Sequence, residues 1–217
     1  MLLCVVIGNF AENLSILTGI PFGHYHFTDV MGPKILNVPI LLGLAYIGMG
    51  YLSWIVGRLI LGNFRAPLAG SRVVTVPLVA AFAMTAWDLS MEPVWANFVH
   101  AWVWHDGGFY FGVPLSNFLG WYLTVYLIYQ SFAVYLRGRA TTKAFRYWRV
   151  AVVFYGVSAV GNLFIARPPG LSTITDASGT QWRVAAILEA SVIVSICVMG
   201  AFTLIAWTRL RNRASSP

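Results

Sequence analysis

The strongest constraint on this chain is a succession of continuous apolar runs, each about twenty residues long, divided by short connections rich in Pro, Gly and cations. A helix crossing the hydrocarbon core of a bilayer needs about twenty such residues. Six runs qualify, at 2–20, 38–61, 73–91, 113–136, 150–166 and 184–207. Composition agrees. Hydrophobic residues make up 59% of the 217 and charged residues 10%, against about a quarter charged in a soluble domain. A water-soluble globule is excluded, and a transmembrane barrel would show alternating stretches of about ten residues instead. The expectation is an all-α, polytopic transmembrane helical bundle of about six spans, forming a single integral membrane domain over residues 1–217.

The net charge of +7 would suggest nucleic acid in a soluble protein. In a polytopic one it records topology, and no nucleic-acid partner is expected. Arg58, Arg65 and Arg72 flank the second connection, Arg137, Arg139, Lys143, Arg146 and Arg149 occupy the fourth, and Arg209, Arg211 and Arg213 end the chain. Only Lys34, Arg167 and Arg183 fall on the other side, so the cations divide eleven to three. That division places both termini in the cytoplasm, in a cytoplasmic (inner) membrane. The apolar first residues lack the basic start and small-residue cleavage site of a secretory signal and read as a span.

The seven acids are distributed the other way. Glu12, Asp88, Glu92 and Glu189 fall in or beside the outer half of the spans, and Asp29, Asp106 and Asp176 fall in the outer loops. A charge well inside a span costs about 2.5–3.5 kcal/mol on insertion scales, so each of the first four needs a polar partner, a proton or a function. Thr85, Asp88 and Glu92 share one helix face by their spacing, and Pro93 is expected to end that helix at Glu92. Two carboxyls a turn apart in low dielectric cannot both ionise cheaply, and such a pair can supply an acid and a base. Its bland alternative is a polar helix end meeting headgroups.

Other spans carry polar faces toward the same depth: Asn9, Glu12 and Asn13 in the first, Tyr155, Ser158 and Asn162 in the fifth, Asn117 with Trp121, Tyr122 and Tyr126 in the fourth. Together they suggest a polar pocket walled by aromatics, set against interhelical hydrogen bonds that only pack the bundle. Trp95, Trp102, Trp104, Phe109, Tyr110 and Phe111 read as a segment lying at the membrane interface. The loop 168–181 reads as a flexible cover. His24 and His26, with His100 and His105, match no strong metal signature; the first two could orient a water or a carboxyl, or be interfacial structural residues. Cys4 and Cys197 sit in apolar runs with no metal-ligand spacing. No phosphate-binding Gly loop, nucleophile elbow or paired-thiol motif is present in the sequence, so no metal and no cofactor is expected.

Four motifs in order resemble the CruF-type carotenoid hydratase family of integral membrane proteins: Gly19-Ile-Pro-Phe-Gly-His-Tyr-His-Phe-Thr-Asp29, Gly32-Pro33 with Val38-Pro39, Trp87-Asp-Leu-Ser-Met-Glu-Pro93, and Gly108-Phe-Tyr-Phe-Gly-Val-Pro-Leu-Ser-Asn-Phe-Leu-Gly-Trp121. The resemblance runs from Glu12 to Asn162. Two departures stand out: family members often carry extra spans before the first motif, and Glu92 replaces the second acid of W-D-L-x-x-D-P. The resemblance implies addition of water across a terminal C=C of an acyclic carotenoid end, of gamma-carotene, lycopene or bacterioruberin-precursor type, to give a tertiary alcohol. Combined with the acids, it suggests Asp88 as proton donor, Glu92 or Glu12 as the water-activating partner, and Glu189, Asn117, Asn162, His24, His26, Trp87, Trp121 and Tyr155 as positioning or substrate-binding residues. The partners expected are a carotenoid within the bilayer, membrane lipids and other carotenoid enzymes. Competing readings are a small proton-coupled or lipid transporter, for which the sequence shows no repeat, and a non-catalytic carotenoid-binding partner.

Overall fold

A computed structural model describes residues 2–63, 66–140 and 143–214, with no side-chain description for Leu2, Arg213 and Ala214. Arg65, and the side chain of Arg213, therefore lie outside the described residues. The protein is all-α in its bulk. Helices α1 (Leu2–Thr18), α2 (Ile40–Ile60), α3 (Arg72–Val94), α4 (Leu115–Tyr135) and α5 (Phe145–Gly161) are followed by α6 (Val184–Ile193) and α7 (Gly200–Ala214), which a wide π turn at Val194–Met199 joins into one rod. Each expected apolar run is a helix. Three are long and apolar enough to cross a membrane, Ile40–Ile60, Arg72–Val99 and Val184–Asn212, and Leu3–Thr18 is apolar but shorter.

Helix α3 packs against both α2 and α4, and α2 also against α5 and α7, with small residues allowing close approach. A Cβ placed on Gly57 of α2 would come within 2.9 Å of the Ala80 backbone in α3, so these two helices approach almost backbone to backbone. Helix α3 forms the centre, with most of its second half buried.

Pro93 does not end α3, contrary to the sequence expectation. The helix runs on to Val94 and widens into a π turn at Trp95–Val99, stopped by His100 in the left-handed region at φ 52°. A proline inside a helix orphans the carbonyl four residues back, and here other elements fill that bond. The Tyr110 hydroxyl donates to the Leu89 carbonyl at 3.1 Å, and for Pro77 the Gln130 amide donates to the Val73 carbonyl at 3.1 Å. Asn97 then closes the widened turn, its Nδ2 donating to the carbonyls of Pro93 at 2.8 Å and Phe111 at 2.9 Å.

The two ends of the bundle are built differently. At one, strands β1 (Tyr25–Phe27) and β4 (Trp102–Trp104) pair antiparallel, Tyr25 opposite Trp104 and Phe27 opposite Trp102. Alternation along the strands turns all four of these rings inward, where they are buried, and leaves His26 outside. Two further pairs lie at the same end, β2 (Lys34–Ile35) with β3 (Val38–Pro39), and β5 (Thr173–Thr175) with β6 (Gln181–Arg183). The segment expected as a flexible cover is thus largely a hairpin. Its turn is organised by Asp176, which accepts from the backbone of Ser178 and Thr180 and from the Trp182 indole. The opposite end gathers the arginines. There Leu68 bridges to Arg137, and the buried Arg58 donates to the carbonyls of Asn63 at 2.7 Å and Ala66 at 3.0 Å.

Candidate functional site

Three carboxyls from two helices meet under the β1–β4 pair. Glu12 projects from α1, Asp88 and Glu92 from successive turns of α3, and all three are at most 2% exposed. Each finds neutral donors. Glu12 accepts from the Tyr46 hydroxyl of α2 at 2.8 Å and from the Tyr25 hydroxyl of β1. Burial first, and Glu12 beside it, push the Tyr25 phenol well above its ordinary range, so Tyr25 stays a neutral donor. Glu92 accepts two indole N–H bonds, from Trp102 at 2.5 Å and Trp104 at 2.8 Å, both on Oε1. The strand alternation that buries the two tryptophans is what aims them at one oxygen. Asp88 accepts from Asn117 of α4 at 3.2 Å through Oδ2. Its Oδ1 and the Thr85 hydroxyl one turn earlier are buried with no hydrogen-bond partner among the described residues.

Glu12, Glu92, Asn117 and Trp121 line one small cavity with Tyr25, Phe27, Leu42, Met91, Trp102 and Trp104, of about 20 Å³. That is room for a water. Trp121 stacks flat on Tyr46, ring centroids 4.7 Å apart and planes 6° apart, which ties the Glu12 clasp to α4. Carboxyl oxygens, an amide and ring faces around a water-sized space can hold a water, move a proton and stabilise a nearby cation.

The structure brings Glu12, Asp88, Glu92, Asn117 and Trp121 together and takes the other expected residues elsewhere. Glu189 is exposed on α6, away from the cavity, because its neighbours Ile187 and Ser191 take the inward positions. Asn162 donates to the hydroxyls of Ser90 at 2.8 Å and Ser195 at 3.0 Å, and so fastens the π turn of the last rod to α3. Tyr155 is fully buried and donates to the Ala83 carbonyl at 2.8 Å. Trp87 is half-buried and does not line the cavity. His24 orients a carboxyl, but the exposed one of Asp106, at 2.8 Å, and His26 faces His105 at 2.7 Å; both histidines are on the outer surface of the strand pair. Among the described residues no group of three or more His, Cys, Asp or Glu is arranged to hold a metal.

The donors were the part that sequence reasoning missed. Trp102 and Trp104 were expected at the membrane interface and instead are 5% and 7% exposed inside the bundle. Their period-two spacing, matched by Tyr25 and Phe27, was the available signal. Nothing in the sequence marks Tyr46.

No curated protein and no solved structure matches the chain. Residues 1–169, which include the three carboxyls and all of their donors, match the family described as carotenoid biosynthesis protein. The chain belongs to the carotenoid biosynthesis protein family.

Proposed function

We propose that this membrane protein of carotenoid biosynthesis hydrates a terminal C=C of an acyclic carotenoid end. The observation that carries the reading is the cluster of three buried carboxyls, two of which, Glu12 and Glu92, line a water-sized, aromatic-walled cavity, while Asp88 is joined to its wall through Asn117. In the proposed step Asp88, as the neutral acid, gives its proton to the terminal carbon of the alkene, leaving a tertiary carbocation next to the ring faces. A water attacks the cation through an oxygen lone pair, and its surplus proton passes to Glu92. Proton return from Glu92 to Asp88 restores the acid, so one water is consumed and no electrons are exchanged. The unpartnered Oδ1 of Asp88 suits a carboxyl that carries its own proton. Glu92 Oε2 stands outside the indole clasp, and Glu12, held by two phenols, lies across the cavity from it.

Two apolar cavities along the α1–α2 seam support a long polyene as substrate. The first, of about 110 Å³, shares Leu42 with the carboxyl cavity, and the second, of about 160 Å³, shares Ile47 with the first and reaches Trp54. From Leu42 to Trp54 a helix rises about 18 Å. The substrate would therefore reach its carboxyls from within the bilayer of the inner membrane, with product passed to other carotenoid enzymes.

Membranes containing the protein, given lycopene in oxygen-18 water with and without dioxygen, test the reading by mass spectrometry. One labelled water gained per reacted end, independent of dioxygen and lost in Asp88→Asn, is the expected result. Oxygen drawn from dioxygen, or full turnover by a folded Asp88→Asn, would overturn it.

A further inference from the structure

A second cavity borders the carboxyl site from the loop end of the bundle. It is a chamber of about 100 Å³ between the π turn that follows α3, strand β4 and the turn of the β5–β6 hairpin, with room for a few waters. Its walls differ in character from the α1–α2 seam: Asn97, His100, Thr175 and Asp176 line it, beside the small side chains of Ala96 and Ala177. Both amide hydrogens of Asn97 are committed to the Pro93 and Phe111 carbonyls, so what it can offer an occupant is its Oδ1 acceptor. His100, Thr175 and Ala177 are exposed, which puts the mouth of the chamber on their side.

The hairpin is seated on this chamber as a roof. A Cβ on Gly107 would come within 2.8 Å of the Ser178 Cβ, and one on Gly112 within 2.9 Å of the Asp176 Cβ. The Trp182 ring meets Phe111 edge to face, with centroids 5.3 Å apart. The inner wall is made by Trp102 and Trp104, the two residues that the chamber shares with the carboxyl cavity. Each of these indoles also donates its N–H to Oε1 of Glu92. The same pair of rings therefore touches the polar chamber and the carboxyl it serves.

Hydration joins two reactants of opposite character. A polyene suits the apolar seam that meets the carboxyl cavity at Leu42, a route on which water would find few hydrogen bonds. The polar chamber meets the same cavity at a different wall. We propose that the chamber is the entrance by which water reaches the carboxyl site, an inference that rests on the hydration reading above. Water enters past Ala177, is held by Asn97 Oδ1 and the His100 ring, and passes to Glu92 when the Trp102 or Trp104 ring leaves the oxygen they share. Trp102 and Trp104 are thus the gate as well as the clasp, and carotenoid and water arrive by separate walls.

The test follows the indole N–H signals of the full chain, nitrogen-15-labelled at tryptophan and held in nanodiscs, by NMR after transfer to deuterium oxide with no carotenoid present. The Trp102 and Trp104 signals should exchange with solvent despite their burial. Ala177→Phe narrows the mouth from the roof, and Ala96→Leu fills the chamber from the π turn. Either should slow exchange at both indoles about tenfold and leave unchanged that of Trp54, which is buried along the apolar seam. In turnover assays the same two variants should lower kcat about tenfold with the KM for carotenoid unaltered. Indole exchange indifferent to both substitutions, or slowed equally at Trp54, would overturn the proposal. The two readings fail separately: labelled water gained by the product while the indoles ignore both substitutions would remove the entrance alone, whereas oxygen drawn from dioxygen would remove the hydration reading and with it the reactant role of this water.

Discussion

At one end of the bundle Glu12 and Glu92 are clasped by neutral donors, two phenols and two indoles. At the other, the buried Arg58 is held by neutral acceptors, the carbonyls of Asn63 and Ala66 and the Asn63 side-chain oxygen at 3.1 Å. Among the described residues, these buried groups are met by dipoles. The ion pairs among the described residues, Lys34 with Asp29 and His24 with Asp106, are in the loops of the acid end and involve exposed partners. With the carboxylates at one end of the bundle and most of the arginines at the other, these buried groups are solvated by dipoles. The two ends differ in where those dipoles come from. Arg58 uses a loop five to eight residues away in sequence, whereas the carboxyl cluster draws Tyr25, Tyr46, Trp102, Trp104 and Asn117 from four separate elements.

That contrast is most sharply tested by removing charge from the acid end without removing an acceptor. Glu92→Gln keeps an oxygen for the two indoles but loses the proton acceptor of the proposed step. Carotenoid turnover should fall about 10²- to 10⁴-fold with unfolding unchanged, as measured by product formation and by a denaturation curve in detergent. A parallel loss of stability would make Glu92 a packing residue.

The arginine end should behave the opposite way. Arg58→Met leaves buried carbonyls without a donor and should cost about 2–3 kcal/mol of stability, with turnover per folded molecule unchanged. Stability measured in mild detergent against the parent chain decides this, and a neutral result would show that water replaces the guanidinium.

A smaller effect is expected when one of two redundant donors is lost. Trp104→Phe leaves Glu92 its bond from Trp102 and should cost about 1 kcal/mol. The same substitution at both tryptophans should cost more than twice as much, because the carboxyl is then stripped of both indole donors. Additivity of the two would mean that they act independently of Glu92.

The smallest effect concerns the half-buried loop acid Asp176. Partial burial opposes its charge, but hydrogen bonds from Ser178, Trp182 and Thr180 outweigh that and hold its carboxyl below the ordinary value of 3.8. A depressed folded value means that the charged carboxyl stabilises the β5–β6 hairpin at neutral pH. That contribution fades as pH falls from the ordinary carboxylate value through the lower folded one. Acid titration followed by Trp182 fluorescence should show the hairpin intact at pH 5 and loosening only below about pH 4. Asp176→Asn should abolish the transition.

The apolar runs by themselves determined the six helices and their order, because twenty uninterrupted apolar residues admit few other forms in a bilayer. The alternation of cations determined which connections share an end, since charge is expensive to move across. The pairing of Asp88 with Glu92 was legible too, because helical spacing alone puts them on one face. Pro93 as a helix end was misread, since whether a proline stops a helix depends on a donor from elsewhere, here Tyr110, for the freed Leu89 carbonyl. The sequence also could not say that Tyr25 and Tyr46 would close on Glu12, that Trp102 and Trp104 would turn inward to Glu92, or that Glu189 would turn away. Those outcomes depend on strand pairing and helix rotation between residues up to 79 positions apart, as between Tyr25 and Trp104. Local periodicity carries no information about such pairings; only the assembled bundle fixes them, by leaving each buried carboxyl no water and a few neutral donors within reach.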